Sequence, residues 1–265
     1  MDFDQNGFLG NEADELMENT IRELAPWFNL AYEVNRLVNE FRHTIQITDD
    51  KAKEIVILML LTKISNHFQS IILLLQKGLS VESDILVRSL MESVIPLRLI
   101  VTDDGFFEEF IRNDKANKYS LYNVMLNKQN ADVFDSSGID PATRDELKAE
   151  LEPFFKDGKI RTFSAEELAR RADMNMDYQL AYRYLSGYVH SSLDTLEKAY
   201  LILEEKKLVA FNYGHYIEPY PRILFSCMYF VLKALEHVAD HFNVDKNDQI
   251  EDCVNRLLKI KGLSL

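Results

Sequence analysis

The sequence predicts an all-α protein, folded as a multi-helix antiparallel bundle, and three observations lead to that prediction. Apolar residues recur at three- and four-residue steps along most of the chain, which is the spacing of one helical face. Only 9 Gly and 6 Pro occur among 265 residues, a low usage that favours long uninterrupted helices. Hydrophobic residues make up 47% of the chain, enough at this length to bury a core without disulfides or metals.

The first half of the chain is predicted to hold four long helices. Residues 1–11 are expected to be loosely ordered. Pro26 lies inside the first periodic segment and predicts a kink or a restart there. The second segment has charged or polar residues on one side only, so we expect a deeply buried helix. The four predicted helices cover about residues 12–41, 49–77, 80–101 and 106–128.

The second half is predicted to be less regular. Residues 129–163 are interpreted as an irregular insertion, with turns at 135–138 and 156–159 around a short helix at 141–151. Ser164 and Glu167 have the spacing of a capping box, which predicts the start of another short helix. A small β-hairpin or an ordered loop is expected near residues 208–219. The remaining helices are predicted at about 175–206, 221–242 and 248–259, and the whole chain, 1–265, as a single helical domain.

Charge and cysteine usage indicate a soluble cytoplasmic protein. The formal net charge of −13 repels nucleic acid and anionic membranes at long range. The two cysteines, Cys227 and Cys253, fit a reducing compartment rather than a disulfide framework. The N-terminal residues are acidic and lack the apolar core of a signal peptide. The longest charge-free apolar stretch, 64–76, is shorter than the roughly 20 residues that span a bilayer. No membrane association is therefore predicted.

One helix carries the principal candidate site, formed by Arg183, Ser186 and His190. Seven residues separate Arg183 from His190, nearly two helical turns, so the pattern places both side chains on one face. Arginine binds phosphate through a permanent forked charge, and histidine moves protons at neutral pH. The pair could cleave RNA without a metal, with Ser186 as a supporting donor. The alternative is structural: Arg183 pairs with a carboxylate and His190 is a hydrogen-bonded core residue.

A second polar pair, Arg88 and Glu92, lies one turn apart on an otherwise apolar helix. Charged residues are rarely buried unless they are paired. The pair is interpreted either as support behind the Arg183 and His190 face or as an intrahelical salt bridge without further role.

Other chemistries lack their sequence signals. There is no Gly-rich phosphate loop, HExxH, CxxC or G-x-S-x-G motif, so nucleotide-hydrolysing, dinucleotide-dependent and zinc-protease activities are not indicated. His237 and His241 share one helical face, but no matching ligand cluster accompanies them, and this segment is interpreted as a solvated face. The sequence therefore predicts no cofactor and no metal.

Two segments carry a family resemblance. Residues 73–100, LLLQKGLSVESDILVRSLMESVIPLRLI, followed by YRYLSGYVHSS at 182–192, resemble a bacterial family of unknown function in which an Arg…Glu helix precedes a Ser-x-x-x-His helix. The similarity covers roughly residues 55–205. More distantly, Arg183 and His190 resemble the R-x(4–6)-H signature of HEPN domains. That resemblance implies a helical bundle, commonly a dimeric, metal-independent ribonuclease of toxin–antitoxin and phage-defence systems.

These observations lead to one functional hypothesis and its alternatives. The main hypothesis is a HEPN-like, metal-independent endoribonuclease in stress response or phage defence, with Arg183, His190 and Ser186 as catalytic residues and Arg88 and Glu92 behind them. The alternative is a non-catalytic helical interaction module. A third reading is a sensor that binds a small ligand between the two polar helices. The expected partners are a second copy of the chain, RNA, and an antitoxin or other protein.

Overall fold

Helices make up most of the computed structural model, which describes residues 3–127, 140–156, 159–214 and 217–263. The helices before residue 128 are α1 (Phe3–Asn6), α2 (Glu12–Glu23), α3 (Ala25–Thr44), α4 (Ala52–Gln76), α5 (Ser80–Thr102) and α6 (Phe106–Met125). Those from residue 140 onward are α7 (Pro141–Leu151), α8 (Ala165–Arg171), α9 (Asn175–Asp177), α10 (Arg183–Val189), α11 (Leu193–Tyr200), α12 (Tyr220–Phe242) and α13 (Asn247–Lys261). Two antiparallel hairpins, β1 (Phe155–Lys156) with β2 (Lys159–Ile160) and β3 (Leu201–Glu204) with β4 (Lys207–Phe211), complete it. The all-α prediction is confirmed.

The core is built on α4, α5 and α12. Helix α5 packs along α4 and against α12, and α3 and α13 cover α12 from the outside. Phe68 of α4, Leu90 of α5 and Leu235 of α12 are fully buried. Each such side chain contributes about 1.5–3 kcal/mol through its transfer from water. The Tyr220 hydroxyl donates to the Leu75 carbonyl at 2.7 Å, which ties the start of α12 to the end of α4.

Among the described residues, α4 alone is long and apolar enough to cross a membrane by length and composition. The core helix of a soluble protein meets the same test, and α4 packs against α3, α5 and α12. These contacts favour a core helix in a soluble protein, as the sequence predicts. Met59 and Leu73 of α4 nevertheless remain exposed.

The first four long helices agree closely with the sequence pattern. Pro26 lies in the first turn of α3, directly after the end of α2, so the predicted restart is confirmed. Helix α5 continues through Pro96. In the N-terminal segment, α1 is followed by a 3₁₀ turn at Gly7–Leu9.

The described part of the predicted insertion contains the predicted short helix and the β1–β2 hairpin. Helix α7 occupies the predicted range, with Asp140 capping its first amides. The predicted turn at 135–138 lies outside the described residues. The Ser164 hydroxyl accepts from the Glu167 amide at 3.1 Å, which confirms the cap. The Glu167 carboxylate accepts from Arg161 at 2.7 Å rather than closing the box on the serine.

The prediction of one helix over 175–206 is wrong. A π-helical segment, Tyr178–Tyr182, follows α9, and the chain turns after α10. Ser191 adopts a left-handed φ of 52° there. The Ser192 amide donates to the Gly187 carbonyl at 2.9 Å, as in a Schellman helix end.

The second hairpin lies at 201–211 instead of 208–219. Glu205 and Lys206 form its two-residue loop with φ values of 48° and 65°. Two positive φ values define a type I′ turn, which usually carries Asn-Gly. Charged residues stand at both loop positions here, so the usual sequence signal of a hairpin is missing.

Candidate functional site

A polar cluster joins α5 to the π-helical segment and α10, with Arg88 at its centre. Arg88 Nη2 donates to the Tyr182 hydroxyl at 2.9 Å. The same hydroxyl donates to Glu92 Oε1 at 2.8 Å. Tyr182 therefore links the guanidinium and the carboxylate of α5, and it fixes both relative to the neighbouring helix.

The second Arg88 nitrogen, Nη1, faces two further groups. It lies 3.3 Å from Ser186 Oγ and 3.3 Å from His190 Nε2. A guanidinium has only donors, so His190 Nε2 acts as an acceptor in this arrangement. The geometry thus assigns a neutral imidazole whose proton is on Nδ1. Ser186 and His190 are consequently both directed at one cationic nitrogen.

Packing holds the Arg88 guanidinium in this position. Its central carbon lies 4.6 Å from the centre of the Tyr182 ring, and the Tyr178 ring stacks on the Tyr182 ring with 4.9 Å between their centres. The Arg88 side chain is 14% exposed, whereas Glu92 is 43% exposed. Arg88 Nε lies 3.3 Å from Glu92 Oε1. It makes no well-aligned hydrogen bond with any described residue. The ion pair is therefore loose, and the arginine retains unused donors.

Burial keeps Tyr182 in its protonated form. Burial of the phenol, followed by its hydrogen bond to Glu92, raises the pKa of Tyr182 above its ordinary value. Arg88 acts in the opposite direction but does not outweigh them. Tyr182 thus remains a donor to Glu92 at neutral pH.

The corner between α10 and α11 positions His190, the last residue before the left-handed Ser191. Its amide donates to the Ser186 carbonyl at 3.0 Å. The Thr195 hydroxyl donates to the Gly187 carbonyl at 2.9 Å, so α11 folds closely over α10. A Cβ on Gly187 would lie 2.6 Å from Thr195 Cγ2. Glycine is therefore required for this close approach.

The structure brings four of the five predicted residues together and leaves one apart. Ser186, His190, Arg88 and Glu92 belong to the cluster, and Arg88 contacts His190 directly rather than standing behind it. The predicted convergence of Arg183 with His190 is not seen.

Arg183 is exposed, and its Nη1 donates to Gln179 Oε1 at 2.9 Å. Each residue turns a helix by about 100°, so Arg183 points well away from the Tyr182 direction that faces α5.

Sequence reasoning missed two members of this region. Tyr182 is not among the candidate residues above, although Tyr182, Ser186 and His190 recur at four-residue spacing and so form one stripe. His67 of α4 is not among them either. Its Nδ1 is buried and has no hydrogen bond to a described residue. Burial, followed by Lys63, lowers the pKa of His67, while nearby Glu92 raises it.

Metal ligands do not converge in the part of the chain that the structure describes, where no group of three or more His, Cys, Asp and Glu side chains meets. His237 and His241 are half-buried rather than fully solvated. His241 Nε2 lies 3.9 Å from Glu54 Oε1 of α4.

The fold and this cluster define an all-α protein with an Arg–Glu–Tyr–Ser–His site between two helices. The model of a family of unknown function, DUF5677, matches residues 54–208, and the chain belongs to that family. The match runs from α4 to β4 and so includes every member of the cluster. Comparison with curated proteins gives no match, and comparison with solved structures gives none.

Proposed function

We propose that the protein is a metal-independent endoribonuclease whose site is the Arg88 cluster, related in its chemistry to HEPN domains. One observation carries the proposal: Arg88 Nη1 lies 3.3 Å from both Ser186 Oγ and His190 Nε2, and His190 is exposed to solvent. A permanent cation and a neutral imidazole thus converge at a surface that a phosphodiester can reach.

The reaction follows from these groups. His190 accepts the proton of a ribose 2′-hydroxyl, and the freed oxygen attacks the adjacent phosphorus. The bond from phosphorus to the 5′-oxygen breaks, the leaving oxygen takes a proton from water and His190 releases its proton to water, which leaves a 2′,3′-cyclic phosphate and a 5′-hydroxyl end. Arg88 gives up its contact with His190 and binds the phosphate instead. Its positive charge stabilises the additional negative charge that the phosphate oxygens carry in the transition state, and Ser186 is a further donor. Glu92 and Tyr182 hold Arg88 in place.

Arg183 receives a different role from the one that its spacing suggested. It is exposed and bonded only to the neutral Gln179 among the described residues, so its charge is not compensated there. We place it at the rim, where it contacts a neighbouring phosphate of the strand. Because the net charge of −13 disfavours RNA in general, such local cations are needed to hold a substrate.

The test is RNA cleavage by the purified chain with and without EDTA, together with growth on induced expression. Wild type is expected to cleave in EDTA and to arrest growth, and His190→Ala to lose at least about 100-fold in rate, as expected for a lost general base. Arg88→Lys keeps the charge but not the forked geometry, and it is expected to lose a similar factor.

His43→Ala is the matched control, because His43 is an exposed histidine at the end of α3. Its rate should equal that of wild type. Cleavage that persists in His190→Ala, or that EDTA abolishes, would rule out this mechanism.

A second candidate function, a helical interaction module, is favoured by an apolar surface on α11 and the β3–β4 hairpin. Six large apolar side chains on α11, on both faces of the hairpin and directly after it are more than half exposed: Leu193, Leu203, Leu208, Val209, Phe211 and Tyr213. A two-stranded hairpin is only marginally stable by itself, and its outer edges offer unpaired backbone groups. We infer that a second copy of the chain covers this surface by pairing hairpins about a twofold axis.

Sedimentation of the wild type and of Val209→Lys tests this dimer. The wild type is expected to be a dimer and Val209→Lys a monomer, because a lysine at the interface cannot be desolvated cheaply. Leu121→Lys, at another half-exposed leucine on α6, should remain dimeric. A monomeric wild type would refute self-pairing and would leave the surface available to a different protein, such as an antitoxin.

A cytoplasmic role in stress response or phage defence is part of the nuclease proposal.

A further inference from the structure

A cavity of about 480 Å³ lies on the opposite side of α10 from the Arg88 cluster. It is enclosed by the starts of α5 and α12 and by α10 and α11. The tyrosines Tyr184 and Tyr188 line it, roughly half a turn around the α10 axis from Ser186 and His190. Its volume falls within the range of small-molecule sites. The further polar lining residues are Ser80, Asp84, Lys198, Glu218 and Arg222.

A buried ion pair forms the floor of the cavity. Arg222 donates to both oxygens of Asp84 at 2.8 and 2.7 Å, and Asp84 is 2% exposed. A guanidinium has five N–H donors, and this pair engages two of them. The Arg222 guanidinium also lies 5.0 Å from the centre of the Tyr184 ring. Arg222 is thus held rigidly and still has donors for a ligand.

Ser80 supplies an unsatisfied donor inside the same cavity. The residue is only 6% exposed, yet its hydroxyl makes no hydrogen bond with any residue that the structure describes. Its oxygen is accessible within the cavity, where a ligand can reach it. Ser80 begins α5, a helix of 23 residues whose first turn has no side-chain cap. The free amides of that turn carry partial positive charge and favour an anion.

The tyrosine hydroxyls add further donors. Tyr184 and Tyr188 share a hydrogen bond of 3.1 Å. Burial and that bond raise the pKa of Tyr188, so its phenol keeps its proton at neutral pH. Both oxygens of Asp84 are bonded to Arg222, so its negative charge is compensated and repels an anionic ligand less than an unpaired carboxylate would. Donors of Ser80, Arg222 and the two tyrosines therefore face the cavity, and Glu218 adds one carboxylate to its lining.

We propose that this cavity binds a small molecule of mononucleotide size through its phosphate group, held by Ser80, Arg222, Tyr188 and the first-turn amides of α5. The site is separate from the proposed nuclease site, and it does not depend on ribonuclease activity.

Calorimetric titration of the full chain tests the proposal with three probes: AMP, inorganic phosphate and adenosine. AMP should bind, phosphate should compete with it, and adenosine should not bind. Ser80→Ala and Tyr188→Phe should each weaken AMP binding by about tenfold or more, since a hydrogen bond to a charged group is lost. Melting temperatures near that of wild type would show that both variants fold. Arg222 is left intact, because its removal would strand Asp84.

Tyr178→Phe is the matched control, a tyrosine outside the cavity lining, and should bind AMP like wild type. His190→Ala should also leave AMP affinity unchanged. Three results would overturn the proposal: no binding of AMP at millimolar concentration, equal binding of adenosine, or a loss in His190→Ala that Ser80→Ala does not share. The last result would place the phosphate at the Arg88 cluster instead.

Discussion

Helix α5 contributes to two arginine–carboxylate pairs, one turn apart, that differ in the burial of the carboxylate and in their geometry. Asp84 is 2% exposed and accepts two short bonds from Arg222 of another helix. Arg88 and Glu92 form a pair within α5, at 3.3 Å, at the edge of the solvent. The first pair satisfies its charges internally. The second leaves donors of Arg88 directed at Ser186 and His190, where a ligand can use them.

This difference shows why charge pairing alone does not identify a site. Breaking a buried pair exposes an uncompensated charge and costs about 3–5 kcal/mol, whereas an exposed pair contributes about 0–1 kcal/mol. A pair that adds little to stability can exchange one partner for a substrate at little cost. The loose pair is therefore the better candidate for chemistry, and the tight pair is the better foundation for a preformed cavity.

The largest effect is expected when the buried pair is broken. Asp84→Asn keeps the shape of the side chain but leaves the Arg222 charge unpaired, and should lower the free energy of unfolding by about 3–5 kcal/mol. Urea denaturation measures this change. Asp104→Asn, at an exposed position before α6, is the control and should change stability by less than about 0.5 kcal/mol. Equal stability of the two variants would show that the two pairs of α5 do not differ as argued.

A smaller effect is expected at the corner that holds His190 against the loose pair. Gly187→Ala places a Cβ 2.6 Å from Thr195 Cγ2, and Thr195 is buried and cannot move freely. We expect a loss of about 1–3 kcal/mol from overpacking, with a further loss of RNA cleavage as His190 shifts. Gly105→Ala, whose nearest atom would lie at 3.9 Å, should cost less than about 1 kcal/mol. If Gly187→Ala cleaved RNA at the wild-type rate, the corner between α10 and α11 would not be needed to position His190.

Acidification should destabilise the region around the loose pair through His67. Its pKa is lowered by burial, so the folded state keeps it neutral while the unfolded state takes up a proton near pH 6.5. Stability is therefore lost as pH falls below that value. Between about pH 7 and pH 6, the free energy of unfolding should fall by up to about 0.7 kcal/mol less in His67→Gln than in wild type. Urea denaturation at both pH values measures it, with His43→Gln as a control that keeps the wild-type slope. A steeper slope in His67→Gln would contradict the sign of the shift.

The smallest change in stability is expected when the loose pair itself is broken. Glu92→Gln retains hydrogen-bonding capacity toward Tyr182 and removes a half-exposed charge, so the free energy of unfolding should change by less than about 1 kcal/mol. Its RNA cleavage should fall more than its stability does, because Arg88 is no longer held in place. If Glu92→Gln lost as much stability as Asp84→Asn, the two ion pairs of α5 would not differ in their contribution to stability.

The outlines of α2 to α6, α12 and α13 follow from local periodicity, and so does the capping serine Ser164. The segment from Asn175 onward illustrates the limit of that reasoning. Its residues suit a continuous helix, but contacts between Gly187 and Thr195 favour a corner, where Ser191 adopts a left-handed conformation. Hydrophobic spacing and residue preferences within one segment do not predict such contacts.

The amino-acid sequence by itself determined the helical class, the long core helices and the choice of Arg88, Glu92, Ser186 and His190 as the polar residues of interest, because spacing and composition act within one element. Only the tertiary structure decided which arginine meets the histidine. That choice depends on how the π-helical segment turns α10 against α5, which directs Tyr182, Ser186 and His190 toward Arg88 and leaves Arg183 in solvent.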